Sequence, residues 1–398
     1  MVPRTLRLKL RQLARRFPVV TVTGPRQSGK TTLCRMAFPA KTYVSLEAPD
    51  LRDYAQQDPR GFLAQHASGA ILDEVQRVPD LLSYLQGEVD ARPVPGRFIL
   101  TGSANLALLD RVSQSLAGRT AVLTLLPLGH DEVLRFPDAP ADLFTTLWQG
   151  GYPAIFDRRP EPADWLGSYV ATYVERDVRQ ILNVTDFLAF QNFLRLCAGR
   201  SAQLLNLSAL AADVGITHNT ARAWLSVLEA SYIAFRLPAL HANVTKRLVK
   251  APKLHFYDTG LLCYLLGISD PGQLRLHPLR GAVFETWVVS EIVKARLHRG
   301  LAPSLSHYRD RKGHEIDAVL DRGDRIVAIE AKSGQTVATD AFPPLVRFDA
   351  VFGQQQPRSP IVRVLAYGGD RSEHRHECRV LPWNRLKEFD WAVSAALP

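Results

Sequence analysis

Residues 24–32 read Gly-Pro-Arg-Gln-Ser-Gly-Lys-Thr-Thr, a G-x-x-x-x-G-K-S/T spacing directly after the β-branched run Val19–Thr23. Strand, glycine-bounded loop and helix start are the parts needed to cradle a phosphate. Loop N–H groups converge on the anion, and the helix N-terminus adds orphan donors and partial positive charge. Gly24, Pro25, Arg26, Gln27, Ser28, Gly29, Lys30, Thr31 and Thr32 are therefore the candidate contacts for a nucleoside triphosphate, taken as ATP. Lys30 is expected to reach the β- and γ-phosphates, and the Thr31 hydroxyl to ligate Mg²⁺.

Two carboxylates complete a hydrolytic set. Ala70-Ile71-Leu72-Asp73-Glu74 is an apolar strand ending in acid, expected beside the strand that carries the loop. Asp73 suits the Mg²⁺ shell beside Thr31, and Glu74 suits the base that polarises the attacking water. Phe98–Ser103 gives a further strand with Ser103, or alternatively Thr101, poised to sense the γ-phosphate. Arg119, with Arg111 in reserve, could neutralise transition-state charge across a subunit boundary, or simply pair with a local carboxylate.

A second acidic set lies near the C-terminus. Residues two apart on a strand share a face, so Glu315 with Asp317 and Glu330 with Lys332 project in pairs. A hairpin through 321–324 would bring Asp317, Glu330 and Lys332 together, and Glu285 or Glu291 could join from a preceding helix. Two carboxylates there could hold Mg²⁺ or Mn²⁺, with the lysine stabilising charge on a scissile phosphate. The alternative is a salt-bridged hairpin. His374, His376 and Cys378 alternate but lack a fourth donor for a metal.

The elements that must position these groups are legible in outline. Short β-rich runs separated by crossover-length connections through 17–130 predict a parallel, doubly wound α/β sheet. Helical segments fill 131–200. Leu207–Val214, the turn Gly215-Ile216 and 217–231 have helix-turn-helix spacing, with Thr217 as N-cap and Leu225, Leu228 and Tyr232 buried. Asn219 and Arg222 open the second helix, and His241, Lys246, Arg247, Lys250 and Lys253 concentrate charge on a wing. This set suits nucleic acid, DNA first, although such a module also serves packing alone. A basic amphipathic helix over 1–16, with Leu6, Leu10, Leu13 and Phe17 in register, precedes the sheet.

The 398 residues carry a formal net charge of +10 and a pI near 9.6, which favours a polyanionic partner. No apolar run approaches the ~20 residues that span a bilayer, and no secretory signal is evident. Cys34, Cys197, Cys263 and Cys378 lie far apart, reading as free thiols in a reducing cytoplasm.

Taken with GPRQSGKTT, the stretches AILDEVQ, FILTGS, SLAGR, GGYPA, YVERDV, KAPKLHFYDTGL, GAVFETWVVSEI, GHEIDAVL and IEAKSG resemble AAA+ ATPases of the archaeal-type group with a C-terminal domain of unknown function. That resemblance implies a Walker A loop at 24–31, a Walker B motif at 73–74 and oligomeric nucleotide sites. Ser201-Ala202-Gln203 departs from the glycine expected before Gln-Leu-Leu-Asn. Asp317 with Glu330-x-Lys332 resembles the PD-(D/E)xK nucleases. The expected architecture is a P-loop AAA+ core (17–130), a helical lid (131–200), a winged helix (201–272) and a restriction-endonuclease-like α/β domain (273–398). Three outputs fit: an ATP-driven motor on nucleic acid, an ATP-dependent assembly switch with a silent nuclease fold, and an ATP-gated metal nuclease.

Overall fold

The computed structural model describes residues 2–103, 114–174, 186–240, 251–355 and 360–392. Arg111, His241, Lys246, Arg247 and Lys250 lie outside the described residues.

Strands β1 (Val19–Thr23), β2 (Thr42–Ser45), β3 (Ala70–Asp73), β4 (Phe98–Thr101) and β5 (Thr120–Thr124) form a parallel sheet of order β2-β3-β4-β1-β5. The three central strands are buried along their whole length, as strands covered on both faces must be. Alternation sorts their side chains. Val19, Leu72 and Leu100 meet Phe62, Leu82 and Leu85 on one face; Val20, Ile71 and Ile99 meet Leu6, Leu10 and Leu33 on the other. The carboxylate strand β3 is not beside β1, contrary to expectation. β4 hydrogen-bonds to both and separates them, which puts Thr101 between the loop and the acids.

The N-terminal helix Leu6–Ala14 packs Leu6, Leu10 and Ala14 onto this sheet at i, i+4 spacing. Its basic face is not simply a free surface. Arg4, just ahead of the helix, is buried, and Arg11 donates to the Ala37 carbonyl at 3.0 and 3.1 Å.

Helices Leu143–Gln149, Pro153–Asp157, Pro162–Tyr169 and Phe187–Gly199 follow, then Leu207–Val214 and His218–Ala230. Asp142, Asp186, Asn206 and Thr217 cap four of them, each side chain accepting a backbone N–H three residues on. Gly215 ends the first helix of the helix-turn-helix pair at φ +79, where a side chain would be strained. Trp224 of the second helix packs edge-on against Phe190 and Phe193. Antiparallel β6 (Ala234–Leu237) and β7 (Lys253–Phe256) complete this unit.

Helix Arg280–Leu297 then crosses a six-stranded mixed sheet. Its strands are β8 (Leu305–Arg309), β9 (Glu315–Asp321), β10 (Ile326–Lys332), β11 (Ile361–Tyr367), β12 (Glu373–Arg375) and β13 (Cys378–Pro382), in the order β12-β13-β11-β10-β9-β8. Phe284, Val288 and Ile292 of that helix share one apolar core with Phe190, Leu225, Val327 and Ile329, so packing runs unbroken across residue 272. His374 and Cys378 sit on separate strands of a hairpin rather than one strand, with His374 and His376 exposed and Cys378 buried. Among the described residues no helix is long and apolar enough to cross a membrane.

Candidate functional site

The loop leaves β1 at Gly24, whose φ of +145 and approach to the Leu125 carbonyl leave no room for a side chain: a Cβ would lie 2.1 Å from that oxygen. Gly29 (φ +91) then caps helix Lys30–Ala37. The Lys30 ammonium is buried and donates to the carbonyls of Gly24 (3.1 Å) and Pro25 (2.8 Å). Burial pulls it down to about 8, although Glu74 and Asp73 oppose the shift. Ser28 Oγ is buried without a hydrogen-bond partner. The Lys30 ammonium and the helix N-terminus facing one cleft fit a polyphosphate.

Thr31 Oγ1 donates to Asp73, 3.0 Å from both carboxylate oxygens. Asp73 also accepts from Thr101 Oγ1 and, at 2.8 Å, from Tyr43 Oη. Sequence reading missed Tyr43, which reaches the site only because β2 pairs with β3. Glu74 holds a left-handed backbone (φ +57), uncommon for a non-glycine residue and a local strain at the strand end. Its carboxylate accepts from the Gln76 amide and from Ser103 Oγ (3.4 Å), and Gln76 also donates to Ser103 Oγ at 2.9 Å. Ser103 thus reaches the Glu74 carboxylate, and Gln76 is a second residue that sequence reading missed.

Lys30, Thr31, Asp73 and Glu74 line a cavity of about 460 Å³. Arg26, Gln27, Lys30, Thr31, Asp73 and Glu74 form its polar wall; Met36, Leu128, Phe136, Pro153 and Ala154 form an apolar one. Pro153 and Ala154 belong to the GGYPA stretch, which is anchored from behind. The buried Asp258 accepts from the Gly151 N–H (2.7 Å) and caps helix Thr259–Leu265 through the Leu261 N–H (2.9 Å). Two motifs far apart in sequence therefore meet to build one rim.

A buried ion network supports the loop. Arg4 donates to the Ser28 carbonyl (2.7 Å), the Leu126 carbonyl (2.8 Å) and Glu132 Oε2 (3.0 Å). Burial alone would raise the Glu132 carboxyl; Arg4 and the N–H groups of Thr5 and Gly129 reverse this and hold it at about 2. His298, from the C-terminal region, is pulled by burial to about 3, so it is neutral at pH 7 and its Nε2 accepts the Leu126 N–H.

Arg119 stands apart from this cleft. It precedes β5, at the end of the parallel sheet opposite the loop, and donates to both Asp90 oxygens at 2.5 and 2.8 Å. The local pairing is what the structure contains.

The C-terminal acids do converge. β9 and β10 pair antiparallel with Ala318 opposite Ile329, and the Ala331 N–H donates to Asp317 Oδ2 at 2.9 Å. Lys332 donates to Glu330 Oε1 at 2.8 Å, while Glu330 Oε2 is buried without a partner. Glu285 is the helix member. Glu291 faces away, pairing with Lys294 (2.9 Å) and accepting the His130 N–H (2.6 Å). Lys253 is not a wing residue: it is buried in β7, 2.8 Å from Glu285, 3.5 Å from Asp317 and 3.8 Å from Glu315. Burial and the Asp317 charge push the Glu285 and Glu330 carboxyls upward, and the Lys253 and Lys332 ammoniums oppose the shift. Asn219 and Arg222 are exposed at the start of their helix.

Residues 16–134 match the AAA domain family, 140–272 a domain of unknown function, DUF8612, and 280–386 another, DUF4143. An uncharacterized protein of Mycobacterium tuberculosis, Rv2008c, is 32% identical over 333 residues, 82% of this chain and 73% of that protein. A Mycobacterium bovis protein matches equally. Among solved structures, the Walker-type ATPase of Pyrococcus abyssi is similar at 15% identity and a TM-score of 0.45, over 65% of this chain and 94% of that one. AMPPCP-bound DnaA from Aquifex aeolicus is similar at 14% identity and a TM-score of 0.29, over 56% and 85%.

Proposed function

Because the chain belongs to the family of AAA-domain P-loop ATPases that carry DUF8612 and DUF4143 regions, we propose that it hydrolyses ATP in the cleft above β1 and β3. The observation that carries this is the buried Lys30 ammonium facing the Thr31–Asp73 pair and the Glu74 carboxylate within one cavity. Lys30 exchanges its two loop carbonyls for phosphate oxygens and stabilises charge as the γ-phosphoryl leaves. Thr31 and Asp73 would hold Mg²⁺, which when bound neutralises the phosphate oxygens. Glu74, turned by its left-handed backbone and held by Gln76 and Ser103, takes the proton from the attacking water. Phe136, Pro153 and Ala154 offer an apolar seat for the base and exclude water.

The energy of this cycle is directed at a polyanion, DNA first. The net charge of +10 and the exposed Asn219 and Arg222 at the head of a winged-helix-like unit support that reading. Assembly into a homo-oligomer belongs to the same proposal, with the trans-acting arginine not assigned to Arg119. Phosphate release measured with and without Mg²⁺, across protein concentrations, and with single-stranded DNA, duplex DNA or RNA tests it. Mg²⁺-dependent turnover stimulated by DNA is expected. Tight ATP binding without turnover under every condition would replace the motor with an assembly switch.

A further inference from the structure

The resemblance of Asp317 and Glu330-x-Lys332 to a nuclease centre calls for a divalent cation held between Asp317, Glu330 and the helix glutamate Glu285. The residues present do not fit one. The ammonium of Lys253 already stands among these carboxylates, 2.8 Å from Glu285 Oε1, 3.5 Å from Asp317 Oδ1 and 3.8 Å from Glu315 Oε2. The remaining acceptors are largely engaged. Asp317 Oδ2 takes the Ala331 N–H at 2.9 Å, Glu330 Oε1 takes Lys332 at 2.8 Å, and Glu315 Oε1 takes Arg309 at 2.7 Å. With Lys253 in place, no group of three or more His, Cys, Asp or Glu among the described residues is arranged to hold a metal ion.

We infer that Lys253 is the resident cation of this carboxylate cluster: it takes the place a divalent metal would need, and the C-terminal domain works as a metal-free module that does not cut phosphodiesters there. Mg²⁺ or Mn²⁺ requires carboxylate oxygens at about 2.0–2.2 Å. A cation that close to Glu285 and Asp317 would sit against the ammonium, and two like charges cannot share those oxygens. The lysine is also built in. Its side chain is 4% exposed, and its backbone is clamped on two sides, by the β6 ladder at Leu237 and by a bridge to Leu204. The neighbouring Leu254 adds hydrogen bonds to Gln203 (3.0 Å) and Ala202 (2.7 Å). Withdrawing the ammonium would leave Glu285 buried without its counter-ion, so the pair holds the β6–β7 hairpin to helix Arg280–Leu297, with Asp317 of β9 as the second contact. Removing the ammonium would free Glu285 Oε1 and Asp317 Oδ1, the two oxygens nearest it, and Glu330 Oε2 is already buried and unpartnered.

The test is Mn²⁺ binding to the full-length, nucleotide-free protein, followed by the electron paramagnetic resonance signal of free Mn²⁺. Wild type and Asp317→Asn should bind Mn²⁺ identically, since any residual binding at Thr31 and Asp73 is common to both. Lys253→Met should gain one Mn²⁺ per chain, at least about tenfold tighter than any wild-type binding, and Lys253→Met/Asp317→Asn should lose it. Circular dichroism checks that the variants fold; if Lys253→Met does not, the comparison of wild type with Asp317→Asn still decides. A wild-type Mn²⁺ site that Asp317→Asn abolishes would overturn the inference. So would a folded Lys253→Met variant that gains no site.

Discussion

Glu132→Gln removes one charge from the network beneath the phosphate loop while keeping the size of the side chain. In the wild type, the Arg4 side chain is 7% exposed and Glu132 is fully buried, and the pair meets at 3.0 Å. Breaking a buried pair strands the remaining charge, at a cost of about 3–5 kcal/mol. Acid linkage gives a similar size by a separate route. Lowering the Glu132 carboxyl from 4.5 to about 2 corresponds to roughly 3 kcal/mol of stability. Its sign is that of a depressed carboxylate: the contribution is complete above pH ~4.5 and is lost as pH falls towards 2. His298 acts in a different window. Burial holds it near 3, so below about 6.5 the unfolded chain takes up a proton that the folded chain refuses, and stability falls from 6.5 downward. The variant should therefore melt roughly 4–6 °C below wild type at pH 7, and its acid profile should keep the His298 slope but lose the step below pH 4.5. Melting followed by circular dichroism from pH 2 to 8 measures both. ATP affinity should fall in parallel, because Arg4 also holds the Ser28 carbonyl of the loop. A melting point within about 2 °C of wild type would refute the assignment of this network as the loop's foundation.

Three further outcomes follow from the cleft. Lys30→Ala should lose ATP binding by roughly 2 kcal/mol or more, about thirtyfold or greater in Kd, by removing charge-assisted bonds to phosphate; titration with a fluorescent ATP analogue checks it. Gln76→Leu should lower kcat by about ten- to a hundredfold with little change in ATP Kd, since the amide orients Glu74 rather than touching nucleotide. Gly24→Ala should abolish nucleotide binding or folding, because its Cβ would lie 2.1 Å from the Leu125 carbonyl at a φ of +145; melting and ATP titration separate those two results.

What could be read in the sequence was what the chain places close together. The loop from Gly24 to Thr32 is contiguous, its strand and helix adjoin it, and Asp73-Glu74 ends a run that is apolar for a burial reason. The β9–β10 hairpin was legible because period-two alternation and a short turn constrain its register. The rest depends on pairings no local pattern encodes. Tyr43 reaches Asp73 through the ladder of β2 on β3. Arg4 meets Glu132 across 128 residues, and within a basic N-terminal stretch it looks like any solvated arginine. Lys253 follows Lys246, Arg247 and Lys250 and reads as one more wing charge, yet burial against Glu285 makes it the core cation of another domain. The signal that could have found it is its own neighbourhood, since Lys253 opens the strand Lys253–Phe256, in which Leu254 and Phe256 are apolar. The insertion of β4 between β1 and β3 was likewise invisible, because apolar parallel strands carry no mark of their order.

In the proposed function, Glu74 drives hydrolysis at a site where Lys30, Thr31 and Asp73 bind the nucleotide. ATP turnover beside ATP affinity, for wild type and Glu74→Gln in the same Mg²⁺ buffer, tests this most directly. Wild type should show Mg²⁺-dependent turnover, and the variant should bind ATP within about threefold of wild type yet release phosphate at least about a hundredfold more slowly. Equal turnover by the two proteins would contradict this role for Glu74.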